Sequence, residues 1–312
     1  MEASARTNES SGFAFGVAAY GLWGLAPAYW KLLADVSPVE LLAHRILWSL
    51  VVAAVLLVAT RSLGAWRRVM ASPRHALPVA LAAALLASNW LVFIHAVATG
   101  QVLATSLGYY LNPLLSVVLG LAVLGERLRR VQWIAVAIAA AGVAGYVVAV
   151  GELPWISVFL AGTFGLYGLV RKLAPVEPIV GFGVEMAVMA APAAALVAWL
   201  AHGGEARLPF AAWGAPSPAR DAVVAASGLV TAAPLLCFNA AARRLPLVMV
   251  GILQYIAPSM TLALAVGVYG EPFGGAQAVT FGCVWVALAI FTVDSIAASR
   301  ARGRALAATR VR

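Results

Sequence analysis

Apolar runs of about twenty residues recur along almost the whole chain, and they constrain its fold more than any other feature. A helix needs roughly 20 apolar residues to cross the ~30 Å hydrocarbon core of a bilayer. Ten such runs are present, at 13–30, 39–59, 77–98, 102–124, 131–150, 155–170, 179–200, 222–242, 247–269 and 276–296. They are continuously apolar and lack the alternation of barrel strands. The sequence therefore predicts an all-α integral membrane protein with ten transmembrane helices.

The composition excludes an ordinary soluble domain. Of the 312 residues, 63% are apolar and 11% are charged, whereas soluble proteins have about 45–50% and about 25%. The net charge of +9 is distributed in short runs between the apolar segments, while nucleic-acid binding requires basic residues massed on one face. We therefore expect membrane lipids, and no nucleic acid, as partners.

The basic residues between the runs predict the orientation of the chain. With the N-terminus inside, seventeen of the 21 lysines and arginines lie in cytoplasmic segments, and the opposite side holds only Lys31, Arg207 and Arg220. Cytoplasmic loops of membrane proteins carry such an excess. Both termini are therefore expected in the cytoplasm, as an N-terminal tail at 1–12 and a basic C-terminal tail at 297–312.

The two halves of the chain, 13–150 and 151–296, resemble each other. At a shift of 145 the matching positions include Tyr110 and Tyr255, Pro113 and Pro258, and Glu126 and Glu271. Each half holds five spans, and because five is odd, the second half enters the membrane from the opposite side. Inverted repeats are the architecture by which secondary transporters achieve alternating access. The alternative is a duplicated scaffold or intramembrane enzyme.

Arg45 lies about seven residues into the second span, where a guanidinium is costly unless it faces a cavity or a partner. Aligning Pro38 with Pro178 places Glu185 opposite it, at a similar depth from the other side. Either the two charges pair across the repeat interface, or one faces substrate while the other gates or couples ions. Because a planar guanidinium suits carboxylate or phosphate, we expect Arg45 to bind an anionic or zwitterionic small molecule.

Other polar side chains within the spans are candidates for the transport path. His44 adjoins Arg45 and is a candidate for proton coupling, since imidazole titrates near neutral pH. Asn89 in the third span is a candidate for substrate binding, with a hydrogen bond between helices as the alternative. Three more residues are expected to line the central cavity, with aromatic packing as the alternative for the tyrosines. They are Tyr110, Gln254 and Tyr255.

Prolines stand in matching places of the fourth and ninth spans, at Pro113 and Pro258. A proline inside a helix removes a backbone hydrogen bond and clashes with the preceding turn. Interrupted helices in corresponding places of two repeats are a good pointer to a binding site. We therefore expect both prolines to break their helices beside the cavity.

No catalytic, metal or cofactor site is predicted. Cys237 and Cys283 lie inside apolar runs, without a CxxC partner or metal-ligand spacing. The chain has no nucleotide-binding Gly-rich loop followed by Lys-Ser/Thr, so it is not expected to pump with ATP directly. The sequence leaves open the substrate, the coupling ion, the direction of transport and the choice between monomer and homodimer.

Several separated motifs carry a family resemblance. They are YGLWG at 20–24, AHRILWS at 43–49, SLGYYLNP at 106–113, LGER at 124–127, QYIAP at 254–258 and YGE at 269–271. From about Phe13 to Ser295, the chain resembles EamA-type members of the drug/metabolite transporter superfamily. The resemblance implies a multi-pass protein of the bacterial inner membrane, with two inverted five-helix EamA repeats and both termini in the cytoplasm. It also implies secondary transport in the efflux direction, and it does not fix the cargo.

Overall fold

The computed structural model describes residues 2–124, 129–174, 176–203, 218–242, 244 and 253–310. The described helices are α1 (Glu2–Lys31), α2 (Pro38–Ala59), α3 (Leu63–Met70), α4 (Pro73–Ala98), α5 (Val102–Leu124), α6 (Arg130–Val150), α7 (Trp155–Leu173), α8 (Pro178–Gly203), α9 (Pro218–Ala242), α10 (Ile256–Ala263) and α11 (Gly275–Arg310). A π-helical turn, Leu264–Val268, extends α10. These ranges contain no strand, so the prediction of an all-α chain is confirmed for the part that they cover.

Six of the described helices are long and apolar enough to cross a membrane. They are α2, α4, α6 and α8, together with Ala219–Phe238 of α9 and Gly275–Asp294 of α11. Two shorter apolar helices cover Trp155–Arg171 and Ile256–Val268. Large apolar side chains point outwards from this bundle: Val148 is 86% exposed and Leu77 is 72% exposed. Such apolar surfaces are rare in soluble monomers, and they indicate a protein that spans the membrane several times.

The helices depart from the predicted spans in three places. α1 begins at Glu2 and α11 runs to Arg310, so the expected tails continue helices, because backbone hydrogen bonds within a helix do not require apolar side chains. The amphipathic helix α3 was not predicted, since eight residues are too few for an apolar run. The beginning of the ninth run falls on residues 245–252, and Glu126 falls on 125–128. Both lie outside the described residues.

Prolines set the start of four helices. The first position of each of these helices is a proline: Pro38, Pro73, Pro178 and Pro218. A backbone N–H at this position has no acceptor within the helix, so its absence in proline costs no hydrogen bond. At the end of α6, Gly151 adopts a φ of 79°, a left-handed conformation that glycine adopts without a steric penalty. The described connections 32–37, 99–101 and 151–154 are short, and short connections join antiparallel neighbouring helices.

The helices of the first half pack on those of the second half. α1 lies against α9 and α10, α2 against α8 and α9, α4 against α7 and α8, α5 against α7 and α10, and α6 against α11. Small residues permit close approach: a β-carbon at Gly108 would lie 2.9 Å from the Ser157 carbonyl oxygen. At the interface of α6 and α11, Cys283 packs on Gly142, which gives that cysteine a packing role.

Glu271 joins the second half to the start of α5. Its two carboxylate oxygens accept hydrogen bonds from the backbone N–H groups of Val102 and Leu103, both at 2.7 Å. A carboxylate is favourable here because it satisfies unpaired N–H groups and complements the helix dipole. The connection after α10 and the beginning of α5 are therefore held together.

The two ends of the bundle carry different ion pairs. At the end that holds the connection between α1 and α2, called the 32–37 end, Asp35 pairs with Arg220 at 2.7 Å. Towards the other end, called the 174–177 end after the connection between α7 and α8, Arg129 pairs with Asp294 at 2.5 Å. Both pairs join the two halves of the chain.

Candidate functional site

Helix α2 carries Arg45 into the bundle, near the 32–37 end. The guanidinium carbon lies 3.8 Å from the ring centroid of Trp90 and 5.0 Å from that of Trp30. The Nε–H donates to the Thr231 hydroxyl at 3.0 Å, and this hydroxyl donates to the Ser227 carbonyl at 2.9 Å. Helices α1, α4 and α9 thus surround one side chain. We call Arg45, Trp30, Trp90 and Thr231 the Arg45 pocket.

The charge of Arg45 has no carboxylate partner within the described part of the chain. The ion pairs found there join Arg129 to Asp294, Arg171 to Glu185 and Arg220 to Asp35. A guanidinium has five N–H donors, and among the described contacts only Nε–H of Arg45 is used. The Arg45 residue is 8% exposed. The pocket therefore presents a cation, stacked on aromatic rings, that could accept an anion.

Glu185 lies near the 174–177 end with two partners from α7. Arg171 Nε is 3.3 Å from Glu185 Oε1, and the Tyr167 hydroxyl is close enough to interact with both side chains. The Arg171 guanidinium rests on α8 at Gly181, where a β-carbon would collide with it. We call Glu185, Arg171 and Tyr167 the Glu185 pocket.

The hypothesis that Arg45 and Glu185 pair across the repeat interface is wrong. Each lies seven residues from the start of its helix. The start of α8 packs on the end of α2, since a β-carbon at Gly183 would lie 2.8 Å from the Leu57 side chain, so the two helices run in opposite directions. Because these helices have 22 and 26 residues, the two charges lie at different depths. Each has its own partners, and the alternative of separate roles stands.

His44 and Asn89 are both buried between helices. His44 is 1% exposed on α2. The Asn89 amide donates to the carbonyl of Leu160 at 3.0 Å and to the hydroxyl of Thr163 at 2.8 Å, so it joins α4 to α7. Its buried Oδ1 has no hydrogen-bond partner among the described residues. The interhelical hydrogen bond is present, and the role of Asn89 in substrate binding stays a prediction.

The two matching tyrosines meet where α5 contacts α10. The rings of Tyr110 and Tyr255 are stacked, with centroids 6.4 Å apart and planes at 20°. The Tyr110 hydroxyl lies 2.6 Å from Ser259 Oγ, and the Tyr255 hydroxyl interacts with the side chains of Gln254 and Thr292. The structure thus brings together three predicted cavity residues, Tyr110, Gln254 and Tyr255.

The two matching prolines occupy different positions in their helices. Helix α5 is continuous from Val102 to Leu124 and includes position 113. Pro258 lies in the first turn of α10, which begins at Ile256, and its carbonyl accepts a hydrogen bond from the Ser106 hydroxyl at 2.8 Å. Only the ninth predicted span is therefore interrupted beside its proline, and a role for Pro113 in opening the helix stays a prediction.

Aromatic rings connect the surroundings of the two pockets. Tyr109 is close enough to Arg45 for an electrostatic interaction. Its ring centroid lies 6.2 Å from that of Phe164, which lies 5.8 Å from that of Tyr167 in the Glu185 pocket. We call Tyr109, Phe164 and Tyr167 the aromatic line.

Sequence reasoning missed several of these residues. Arg171 was assigned to the orientation of the chain, although α7 extends to Leu173 and carries it into the bundle. The spacing of Tyr167 and Arg171, four residues apart and so on one helix face, is a signal that could have linked them. Nothing in the sequence pairs Trp30 or Thr231 with Arg45, because they lie on other helices. The described residues contain no group of three His, Cys, Asp or Glu that could hold a metal ion.

Comparisons with known proteins show which family and which solved structure this chain resembles. Residues 10–148 match the model of the EamA-like transporter family. One solved crystal structure shares 24% identity and a TM-score of 0.59, and the match covers 91% of this chain and 98% of that one. This likeness shows a shared fold.

Three relatives match over nearly their whole length. An uncharacterised transporter of Pseudomonas aeruginosa is 42% identical over 93% of this chain and 96% of its own length. The protein RarD of Escherichia coli is 41% identical over 93% and 96%, respectively. The chloramphenicol-sensitive protein RarD of Pseudomonas aeruginosa is 32% identical over 94% and 97%. With these relatives, with its bundle of apolar helices and with the family model matched over its first half, the chain belongs to the EamA-like transporter family.

Proposed function

We propose that this protein is a secondary transporter of a small anionic or zwitterionic molecule in the bacterial inner membrane. The observation that carries the proposal is the Arg45 pocket, in which a buried guanidinium contacts Trp90 and Thr231 and has no described carboxylate partner. An uncompensated arginine inside a membrane helix is costly. A bound anion would offset that cost, which favours a role in recognising substrate. The transporter names of the family and of a relative support the same function.

We further propose two inverted five-helix repeats, at 13–150 and 151–296, with both termini in the cytoplasm. The helix contacts support this symmetry. Exchanging α1, α2, α4, α5 and α6 with α7, α8, α9, α10 and α11, in that order, maps the contact of α1 with α9 onto that of α7 with α4. The contact of α1 with α10 maps onto that of α7 with α5, and α2 with α9 maps onto α8 with α4. Repeats related in this way permit alternating access.

In this proposal the 32–37 end faces the periplasm and the 174–177 end faces the cytoplasm. The exposed arginines of α3, Arg67 and Arg68, agree with the second assignment, because basic residues concentrate on the cytoplasmic side. Substrate would reach Arg45 from one side and leave on the other, with efflux as the physiological direction. A transmembrane gradient, of protons or of another ion, would supply the energy.

The remaining candidate residues have separate roles in this proposal. Asn89, Tyr110, Gln254 and Tyr255 line the path, and Pro113 and Pro258 let their helices open. Glu185 couples or gates, with His44 as a second candidate for coupling. If Glu185→Gln leaves the pH dependence of transport unchanged, the coupling role of Glu185 is wrong.

The function is tested with full-length protein in liposomes that contain a pH-sensitive dye. Amino acids, organic acids, phosphorylated sugars and chloramphenicol are added in turn, and uptake of radiolabelled forms is measured in parallel. We expect one anionic or zwitterionic class to produce flux in wild-type vesicles, with a loss of about 100-fold in Arg45→Ala, since losing a buried partner of a charged group costs about 2–5 kcal/mol. Arg129→Ala is the matched control, because Arg129 is exposed and outside both pockets.

Preserved flux in Arg45→Ala would remove Arg45 from the path. Absence of any flux across a broad labelled panel would favour the alternative, a membrane scaffold without transport. A scaffold would tolerate Arg45→Met combined with Glu185→Gln, whereas a transporter that uses these charges would not. An intramembrane enzyme would convert one of the panel compounds, which mass spectrometry of the vesicle contents would detect.

A further inference from the structure

We propose that Arg171 is a second anion-binding group, which the Glu185 carboxylate occupies in this conformation and which an anionic substrate takes over by displacing Glu185. This inference rests on the proposed transport function. It adds a second binding position for the anion, near the opposite end of the bundle from Arg45, and it makes Glu185 the competitor of the substrate at that position.

The contact between Arg171 and Glu185 leaves binding capacity unused on both sides. A guanidinium and a carboxylate in the optimal geometry form two parallel hydrogen bonds. Here Arg171 Nε lies 3.3 Å from Glu185 Oε1, which is too long for a strong hydrogen bond. Arg171 Nη1 is buried without a hydrogen-bond partner among the described residues, and so is Glu185 Oε1. Because buried polar atoms are nearly always hydrogen-bonded, an anion that reached the Nη edge would gain contacts that Glu185 does not make.

The position of Arg171 does not depend on Glu185 alone. Its guanidinium carbon lies 2.5 Å from where a β-carbon of Gly181 would stand, so the planar group lies directly on the backbone of α8. The Tyr167 hydroxyl also contacts Arg171. The cation can therefore stay in place when the carboxylate leaves, which a binding group requires and a simple structural ion pair does not.

The aromatic line extends from the surroundings of Arg45 to those of Arg171, and in this proposal the anion passes along its rings. Tyr109 lies near Arg45, Tyr167 contacts Arg171, and Phe164 lies between them. Aromatic rings offer apolar contact area along this route, and the arginine at each end supplies the charge. The arrangement suits a small carboxylate with an apolar or aromatic body.

The test uses benzoate as the anionic probe and benzamide as its neutral match, with full-length protein in lipid nanodiscs. Phenylglyoxal, which reacts with guanidinium groups, labels the protein, and peptide mass spectrometry measures the labelling rate at each arginine. Arg129 serves as the internal reference. The variants are Glu185→Gln, which removes the competing charge, and Gly181→Ala, whose methyl group displaces the guanidinium.

We expect benzoate, and not benzamide, to slow the labelling of Arg171. The half-effective benzoate concentration should be at least about tenfold lower in Glu185→Gln than in wild type, which corresponds to about 1.4 kcal/mol. Gly181→Ala should abolish the protection of Arg171 while Arg45 stays protected. Gly181→Ala retains both charges, so it tests the proposal even where Glu185→Gln fails to fold.

Three results would overturn the proposal: equal half-effective concentrations in wild type and Glu185→Gln, equal protection by benzamide, or no labelling of Arg171 once Glu185 is neutral. The last result counts because a guanidinium that no reagent reaches cannot exchange ligands. A fourth result, protection of Arg45 without protection of Arg171, would overturn the second site and leave the proposed function intact. Protection of Arg171 without protection of Arg45 would instead contradict the role given to Arg45 in the proposed function.

Discussion

The Arg45 pocket and the Glu185 pocket both hold a charged side chain inside the bundle, and they stabilise it differently. Arg45 lies against the rings of Trp90 and Trp30 and donates to the Thr231 hydroxyl. Glu185 has the opposite charge of Arg171 beside it. In the first pocket the groups around the cation are uncharged, whereas the second pocket holds an ion pair. Two buried charges at the same distance from the start of their helices are thus stabilised by unlike chemistry.

The largest expected change in the free energy of unfolding comes from the charge balance of the two pockets. Arg171→Met leaves Glu185 buried without its cation, so it should lower the free energy of unfolding by about 3 kcal/mol. Arg45→Met leaves no described carboxylate unpaired, and removing the cost of burying a cation offsets the loss of its stacking and hydrogen bond. The free energy of unfolding should therefore fall by less than about 1 kcal/mol. Thermal and SDS unfolding of the purified variants measure both changes. Equal losses in the two variants would break the distinction between the pockets.

The double variant Arg171→Met with Glu185→Leu sharpens this prediction. Replacing both charges of a buried pair by apolar groups is often close to neutral. The double variant should therefore recover most of the stability that Arg171→Met loses, while it loses transport. A double variant no more stable than the single one would mean that Glu185 is not the partner whose charge matters.

The next largest expected loss of stability comes from the close packing of helices around the Arg45 pocket. A β-carbon at Gly228 on α9 would lie 2.5 Å from the Trp48 carbonyl oxygen on α2, so Gly228→Ala must separate the helices that carry Thr231 and Arg45. Overpacking of this kind costs about 1–3 kcal/mol. Gly21→Ala is the control, because nothing lies within 4 Å of its added methyl group. Equal melting temperatures of the two variants would contradict the packing argument.

The stacking of Arg45 on Trp90 should contribute a smaller amount. In a double-mutant cycle of Arg45→Met and Trp90→Leu, we expect a coupling free energy of about 1–2 kcal/mol, as for a desolvated cation over an aromatic face. Trp90→Tyr keeps an aromatic face and should retain part of that coupling. Unfolding measurements on the four proteins of the cycle supply the value, and a coupling near zero would reduce Trp90 to a packing role.

The hydroxyl of Thr231 contributes a single hydrogen bond to the Arg45 pocket. Thr231→Val removes the acceptor of the Arg45 Nε–H, and a hydrogen bond to a charged group contributes about 1.5 kcal/mol. Thr231→Ser keeps the hydroxyl and is the control, which should stay within about 0.5 kcal/mol of wild type. If valine and serine were equivalent in unfolding and in transport, the hydrogen bond would not orient Arg45.

Much of the fold could be predicted from sequence because bilayer crossing leaves a strong pattern. The predicted run 102–124 coincides with α5, and the run 131–150 begins one residue after the start of α6 at Arg130. A helix satisfies its backbone within itself, so the apolar run alone identifies it. The short amphipathic α3 carries no such run. Trp66 shows its place only through packing beside Val79, Ala174 and Val184.

The site could be predicted only in part. Arg45 and Glu185 stand out because a charge in an apolar run is costly wherever that helix packs. Their partners do not stand out, because partnership depends on which helix faces which. The approach of Thr231 to Arg45 joins positions 186 residues apart, and no local pattern encodes such a distance.

The sequence by itself determined that this chain is helical, spans a membrane and keeps a few charges inside it. These properties follow from the length and hydropathy of each segment taken alone, together with the free energy of moving side chains from water to lipid. Only the tertiary structure decided that Arg45 lies on tryptophan rings, that Glu185 pairs with Arg171, and that Tyr110 stacks on Tyr255. Side-chain partnership is set by the mutual rotation and depth of packed helices, and these arise only when all of them assemble.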